Sequence, residues 1–192
     1  PGRPGNAGGF ERDPVQLPTR AASQVLLADL DADGRPEILF AGGNEVRIFW
    51  NGPDGVSADR RTVLSIPGLQ TQFRAGALAI EVADLDGDGR PELLVAAATE
   101  VQARRADSLD AVAWSLPIPF AAWLHAVDLD GDGRPELVVS VHEDETTYDV
   151  DSLILWNGPD GLSLDRVSRL PLGGGMGTTA ADYNGDGLLD IL

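Results

Sequence analysis

Short apolar runs of β type alternate with turn-forming residues along most of the chain. The first unit reads VLLADL, EILFAG, EVRIFW and RTVLSIP; the second reads ALAIEVADL, ELLVAAAT, EVQARRA and AVAWSLPI; the third reads AWLHAVDL, ELVVSVH, SLILWN and DRVSRLPL. Runs this short, bounded by Gly, Pro, Asn and Asp, predict strands. The segment EVQARRADSLDAV taken alone is compatible with a helix, but the register of the repeat favours a strand, a turn and a strand.

An aspartate-rich phrase of nine residues separates the first two runs of each unit. It reads DLDADGRPE from Asp29, DLDGDGRPE from Asp84 and from Asp128, and DYNGDGLLD from Asp182, so the spacings are 55, 44 and 54 residues. A period near fifty with four short strands per unit is typical of β-propeller blades. The sequence therefore predicts an all-β fold of β-propeller-type repeats with four-stranded antiparallel blades, about three of them complete, plus a split partial blade.

The two ends of the chain predict incomplete blades. We expect residues 1–9 to be a flexible segment and residues 10–192 to form the blades. GGFERDPVQLPT before the first phrase is similar to GLSLDRVSRLPL before the fourth, which predicts a lone fourth strand near the start. The sequence ends at Leu192, inside the predicted second strand of the fourth unit. We therefore expect a larger propeller, or open edges that other copies complete, which would give a filament if the ring does not close.

The phrase concentrates carboxylates within a short loop. Asp29, Asp31 and Asp33 stand at alternate positions, and Glu37 closes the loop. Two carboxylates about 4 Å apart repel by roughly 4 kcal/mol at an effective dielectric constant near 20, so a converging set requires a cation. Hard oxygen ligands favour Ca²⁺; Mg²⁺ is the weaker candidate because it demands a stricter octahedron, and soft metals would need Cys or His. The alternative is a solvated acidic turn, which four copies with similar flanks disfavour.

Position six of the phrase, and position twelve counted from its start, carry further information about the structure. Position six is Gly in every copy, which permits the positive φ that wraps a loop around an ion. An EF-hand would need an acid at position twelve and flanking helices. Phe40, Val95 and Val139 occupy that position, and β-type runs follow, so the sequence disfavours an EF-hand.

Composition narrows the classes of partner. The net charge of −17 disfavours nucleic acid, and no apolar run reaches the length of a membrane span. Of the 31 acidic residues, 15 lie in the four phrases, and four bound Ca²⁺ ions would change the formal charge from −17 to −9. The chain has no cysteine. Because weak Ca²⁺ modules operate where the ion is near millimolar, we expect an extracellular or cell-surface location.

The loop, the period and the flanking strands together resemble the FG-GAP and VCBS repeats, which are the Ca²⁺-loop blades of integrin α-subunit propellers and many bacterial surface proteins. WNGPDGVSADR from Trp50 and WNGPDGLSLDR from Trp156 also look like the glycine-rich segment of those blades, and they predict the hairpin between the third and fourth strands. The resemblance implies that positions one, three, five and nine bind Ca²⁺ by their side chains and position seven by its carbonyl. The implied ligands are Asp29, Asp31, Asp33, Arg35 and Glu37; Asp84, Asp86, Asp88, Arg90 and Glu92; Asp128, Asp130, Asp132, Arg134 and Glu136; and Asp182, Asn184, Asp186, Leu188 and Asp190.

No set of residues in the sequence predicts catalysis. His125 and His142 lack a nucleophile motif, and the glycine run at 173–177 lacks the lysine and the strand-to-helix context of a phosphate loop. We therefore expect a non-enzymatic structural or adhesive module that binds a protein partner or other copies of itself. Two alternatives are open: a carbohydrate-binding propeller that uses Trp114, Trp123 or Trp156, and the scaffold portion of a larger extracellular hydrolase or lyase.

Overall fold

The fold is all-β, as the sequence predicts. The computed structural model describes residues 15–66, 79–144 and 146–192. Three four-stranded antiparallel sheets follow one another along the chain, each with its strands in sequential order, and a two-stranded sheet follows them. The strands are β1 (Gln24–Ala28), β2 (Glu37–Gly42), β3 (Glu45–Gly52), β4 (Gly55–Ser65), β5 (Ile80–Ala83), β6 (Glu92–Ala96), β7 (Val101–Arg105), β8 (Trp114–Leu116), β9 (Ala121–Val127), β10 (Glu136–Val141), β11 (Ser152–Leu155), β12 (Val167–Leu170), β13 (Ala180–Ala181) and β14 (Asp190–Ile191).

The three complete sheets are blades that pack face to face. The first core lies between the first and second blades and includes the fully buried residues Leu39, Val46, Ile48, Leu93 and Val95. The second core lies between the second and third blades and includes Leu94, Val101, Leu124, Leu137 and Leu155. Every residue of β6 is buried, because side chains alternate across a strand and the middle blade is covered on both faces.

The first strands of adjacent blades lie next to each other. On β1, the side-chain amide of Gln24 donates to the Ile80 carbonyl of β5 and accepts from the Ile80 amide, both at 2.8 Å. The Gln24 side chain therefore makes the same pair of hydrogen bonds to Ile80 that a residue of a neighbouring strand would make. This contact fixes the first blade relative to the second where their first strands meet.

The ambiguous segment of the second unit is strand, turn and strand. β7 ends at Arg105, a 3₁₀ turn covers Ala106–Ser108, and β8 begins at Trp114. The WNGPDG phrase of the first unit forms the predicted hairpin, in which Asn51 pairs with Val56. In the third unit the corresponding turn is closed by a bridge between Gly158 and Gly161.

The two ends of the chain differ in how well they match the predictions. The fourth unit contains the expected strand pair, β13 with β14, joined by the fourth loop. The predicted lone strand is wrong for residues 15–19, which are not in a strand. Pro18 cannot donate to a strand ladder, and its carbonyl instead accepts a 2.8 Å bond from the Arg47 guanidinium. Residues 8–14 of that prediction, and the predicted flexible segment 1–9, lie outside the described residues.

The described part of the chain contains no helix long and apolar enough to cross a membrane.

Candidate metal centres

The four acidic loops connect the first and second strands of their units and share one backbone arrangement. The aspartate at position one receives the amide of the glycine at position six in each loop, which folds the loop around that carboxylate. The donor and acceptor pairs are Gly34 with Asp29 at 2.8 Å, Gly89 with Asp84 at 2.8 Å, Gly133 with Asp128 at 3.0 Å and Gly187 with Asp182 at 2.9 Å. These glycines have φ between 82° and 87°, as the sequence predicts for position six.

Positions three and five shape the centre of each loop by bonding to the backbone two residues later. Such local side-chain bonds are the usual turn chemistry of Asp and Asn. In the fourth loop, Asn184 Oδ1 accepts from the Asp186 amide at 2.9 Å, so the neutral residue preserves the loop shape. The corresponding bonds of position five run to Asp33 from Arg35, to Asp88 from Arg90, to Asp132 from Arg134 and to Asp186 from Leu188.

The acid at position nine is the first residue of the second strand, and it reaches back to the amide of position two. This bond joins the end of the loop to its beginning. The pairs are Leu30 with Glu37 at 2.8 Å, Leu85 with Glu92 at 3.2 Å, Leu129 with Glu136 at 2.7 Å and Tyr183 with Asp190 at 3.1 Å. The three glutamates are fully buried, although each carries a carboxylate.

Position four is a feature that the sequence analysis missed. Gly87, Gly131 and Gly185 adopt φ between 75° and 79°, and Ala32 adopts φ 58° at the same position of the first loop. Glycine occurs at position four in three of the four phrases, and this recurrence could have predicted the positive φ. Each loop therefore needs two left-handed residues, and the first loop meets that need with an alanine.

Carboxylate oxygens converge in the first three loops. Three oxygens lie within 4.8 Å of one another in each set: Asp29, Asp31 and Asp33; Asp84, Asp86 and Glu92; Asp128, Asp130 and Glu136. Glu37 is outside the first of these sets, Asp88 outside the second and Asp132 outside the third. Within the described residues the fourth loop forms no such acidic set, because Asn184 replaces one carboxylate.

The surroundings of the three buried glutamates disfavour the charged form of their carboxyl groups. Burial raises the pKa of Glu37, Glu92 and Glu136, and the neighbouring loop aspartates raise it further, while the bond from the amide of position two opposes the shift. One buried oxygen of Glu136, Oε1, has no hydrogen-bond partner. An orphaned buried carboxylate oxygen beside other carboxylates is an arrangement that a divalent cation would satisfy. The donor set contains oxygen alone, so these residues fit Ca²⁺ by their chemistry.

The second loop differs from the others because an arginine enters it. The Arg105 guanidinium hydrogen-bonds to Asp86 and, at 2.8 Å, to Asp88, and it lies 3.4 Å from Glu92 Oε1. The last distance is an ion-pair contact, since Glu92 Oε1 has no hydrogen-bond partner. Arg105 comes 13 residues after Glu92 in a different strand, so the loop motif could not reveal it.

The WNGPDG hairpins lie beside the loops and are held by their own polar groups. Trp50 Nε1 donates to Thr62, and Trp156 Nε1 donates to Ser168, each at 2.9 Å. The indole N–H groups thus join the third strand to the fourth. Each of these two tryptophans therefore has a structural role in its own hairpin.

The remaining sequence candidates are separate from the loops. His125 Nδ1 lies 3.7 Å from Glu81 on the neighbouring blade, and the His142 ring packs 5.2 Å from the ring of Tyr148. In the glycine run, Gly174 has φ 86° and passes so close to the His142 carbonyl that a Cβ would lie 2.5 Å from it. The run therefore makes a tight connection against the third blade.

Four-stranded antiparallel blades with an acidic loop between their first two strands define this chain as a β-propeller repeat protein. The family described as FG-GAP-like repeat matches residues 29–95 and 128–192, which is more than half of the chain. The chain belongs to the FG-GAP-like repeat family, and the resemblance seen in its sequence is confirmed.

Crystal structures of one other protein share this fold at low sequence identity. Two crystal structures of BBS1N in complex with ARL6DN, soaked with mercury and with lead, are each 15% identical, with TM-scores of 0.55 and 0.57. They align with 87% and 88% of this chain, which spans 48% and 50% of those chains. A Tc holotoxin pore of Photorhabdus luminescens is 21% identical over 88% of this chain and 8% of its own, with a TM-score of 0.48. None of the curated proteins matches the chain.

Proposed function

We propose that this chain is a calcium-stabilised β-propeller module with a non-enzymatic, structural and adhesive role in an extracellular or cell-surface protein. The observation that carries the proposal is Glu136, whose buried Oε1 has no hydrogen-bond partner and whose carboxylate converges with those of Asp128 and Asp130. Leaving a buried charge uncompensated is costly, so a bound cation is the physical remedy.

Calcium would act on the backbone geometry of each blade. Its ligands come from the loop and from the first residue of the second strand, so an ion there holds the first strand against the second. Neutralising the converging carboxylates removes a repulsion of roughly 4 kcal/mol for each close pair at an effective dielectric constant near 20. The side chains that would hold the ions are those of positions one, three, five and nine in the four loops, with the carbonyl of position seven.

The test is thermal unfolding with calcium and with excess EGTA. At a free calcium concentration of about 100 Kd, each site would stabilise the fold by about 2.7 kcal/mol. For a chain of this size, that corresponds to roughly 5–10 °C in melting temperature per site. Glu136→Gln should lose the calcium-dependent increase in melting temperature that one site contributes. Asp165→Asn, at an exposed position outside the loops, should lose none of it. A melting curve that EGTA leaves unchanged would contradict the calcium proposal.

The affinity also tests the proposed location. Modules that work outside cells bind calcium with Kd values of about 10⁻⁴–10⁻³ M. We expect the first and third loops to titrate in that range by isothermal titration calorimetry. Affinities near 10⁻⁷ M in these loops would instead suit a site that responds to intracellular calcium.

The adhesive part of the proposal rests on two observations. BBS1N, which has the same fold, is crystallised in complex with a protein, ARL6DN. On the first blade, Val25 and Leu27 are 59% and 66% exposed and present an apolar surface. Light scattering at increasing protein concentration, with electron microscopy for fibres, tests association with other copies. A constant molar mass at the monomer value over a hundredfold concentration range would exclude self-assembly and leave a different protein as the partner.

A further inference from the structure

Arg105 places a positive charge where the second loop gathers its carboxylates. Its guanidinium hydrogen-bonds to Asp86 and Asp88 and lies 3.4 Å from the buried Oε1 of Glu92. Two of these acids, Asp86 and Glu92, belong to the set whose oxygens lie within 4.8 Å of one another. One side chain therefore contacts three of the four acids that the loop offers.

The strand register shows that this arrangement is particular to the second blade. Arg105 on β7 pairs directly with Glu92, the first residue of β6. In the first blade Ile38 pairs with Phe49, so the next step places Trp50 opposite Glu37. In the third blade Leu137 pairs with Leu155, and the next step places Trp156 at the equivalent position.

The tryptophans at this position bring no positive charge into their loops. Their indole N–H groups are directed to Thr62 and Ser168 on the fourth strand of each blade. In the first loop, Arg35 pairs with Asp33, but its side chain is 44% exposed and contacts that one carboxylate. The second blade lacks the WNGPDG phrase, and its hairpin supplies Arg105 in place of the tryptophan.

We propose that Arg105 is a built-in cation that competes with calcium in the second loop, so that this loop holds its shape without an ion and binds calcium more weakly than the first and third loops. The inference rests on the proposed function, because it concerns the same ion. An ion entering the loop must take carboxylate oxygens that the guanidinium holds, and it must approach a fixed positive charge. The three loops then differ in calcium affinity, and the second loop keeps its folded conformation when calcium is removed.

The test reads calcium binding at each loop separately. Gly34, Gly89 and Gly133 each donate their amide to the first aspartate of their loop, so their amide NMR signals report on their own site. In the whole chain, we expect the Gly89 signal to shift at a higher calcium concentration than the other two. Arg105→Gln should lower the Gly89 midpoint on the order of tenfold and leave the other midpoints unchanged. Arg61→Gln, which removes the same charge from the exposed part of β4, should change none of them.

Thermal unfolding is a second measurement, which also applies if Arg105→Gln folds poorly. Without calcium, Arg105→Gln should melt at a lower temperature than the wild type, and saturating calcium should restore most of the loss. If Arg105→Gln leaves the Gly89 midpoint at its wild-type value while Gly34 and Gly133 respond to calcium, the role of Arg105 is overturned and the calcium proposal stands. If none of the glycine signals responds to millimolar calcium, both proposals fall.

Discussion

The side-chain amide of Asn157 donates a 2.8 Å hydrogen bond to the carbonyl of Leu85, a residue 72 positions earlier in the chain. Leu85 is the second residue of the second loop, and Asn157 belongs to the hairpin of the third blade. The same amide nitrogen also donates, at 3.1 Å, to the carbonyl of Pro135, the eighth residue of the third loop. Asn157 thus links two loops of neighbouring blades, and it does so while buried, with 6% of its surface exposed.

Asn157→Ala should lower the free energy of unfolding by about 1–3 kcal/mol, because the buried Leu85 carbonyl and the half-buried Pro135 carbonyl lose their donor. Asn51→Ala is the matched control in the first blade, where the amide nitrogen donates to the exposed Pro36 carbonyl. Its cost should be smaller, since water can replace the bond. Urea unfolding in saturating calcium measures both variants, and equal losses would contradict the role assigned to the link between blades.

The repeat made the blades predictable, because the acidic phrase fixes where the first strand ends and the second begins. The position-nine acid is an example: Glu37, Glu92 and Glu136 all begin a second strand. Contacts between blades were not predictable from the same phrase. The bond from Asn157 to Leu85 depends on how neighbouring blades pack. The entry of Arg105 depends on the pairing of two strands within the second blade, and the spacing inside the acidic phrase encodes neither distance.

The first loop carries a strained residue that glycine would relieve. Ala32 has φ 58°, whereas the equivalent positions of the other loops are glycines with positive φ. A left-handed non-glycine residue costs about 1–2 kcal/mol, and glycine costs about 0.5–1 kcal/mol through the entropy of the unfolded chain. Ala32→Gly should therefore stabilise the protein by on the order of 0.5–1 kcal/mol, measured by urea unfolding.

Gly87→Ala in the second loop is the reverse experiment. A Cβ at Gly87 would meet no atom within 4 Å, so the cost comes from φ 75° alone. We expect it to destabilise the protein by about as much as Ala32→Gly stabilises it. Effects of the same sign in the two variants would show that backbone strain at position four does not control stability.

The hairpin of the first blade depends on an arginine that lies over a glycine. Arg60 donates to the Trp50 carbonyl at 3.1 Å and to the Gly55 carbonyl, and a Cβ on Gly52 would lie 2.1 Å from its guanidinium. Gly52→Ala should therefore displace Arg60 and cost on the order of 1 kcal/mol, the value of the lost hydrogen bonds. In an Arg60→Ala background the same substitution should cost much less. A double-mutant cycle by urea unfolding gives the coupling, and additive losses would contradict it.

The burial of the Glu81 carboxyl, which faces His125, predicts a pH dependence that is separate from the loops. Burial raises the pKa of Glu81, and the Val82 amide and the His125 imidazole oppose the shift. A carboxyl whose folded pKa is raised stabilises the fold below its unfolded pKa of about 4.3, and that contribution is lost as the pH rises through the folded value. Gln at position 81 cannot ionise, so the Glu81→Gln variant does not lose stability in this way as the pH rises. It should therefore gain stability relative to the wild type between about pH 4 and pH 7.

Glu100→Gln provides the opposite sign within the same blade. Hydrogen bonds from Gln102 and Ser115 lower the pKa of Glu100, so its contribution is present above the unfolded pKa and is lost as the pH falls. Urea unfolding of both variants and the wild type at matched pH values isolates each difference, because each variant differs from the wild type at a single carboxyl group. Between pH 4 and pH 7, Glu100→Gln should lose stability relative to the wild type, whereas Glu81→Gln should gain it. Parallel pH profiles for the two variants would show that burial of Glu81 between the second and third blades does not govern its protonation.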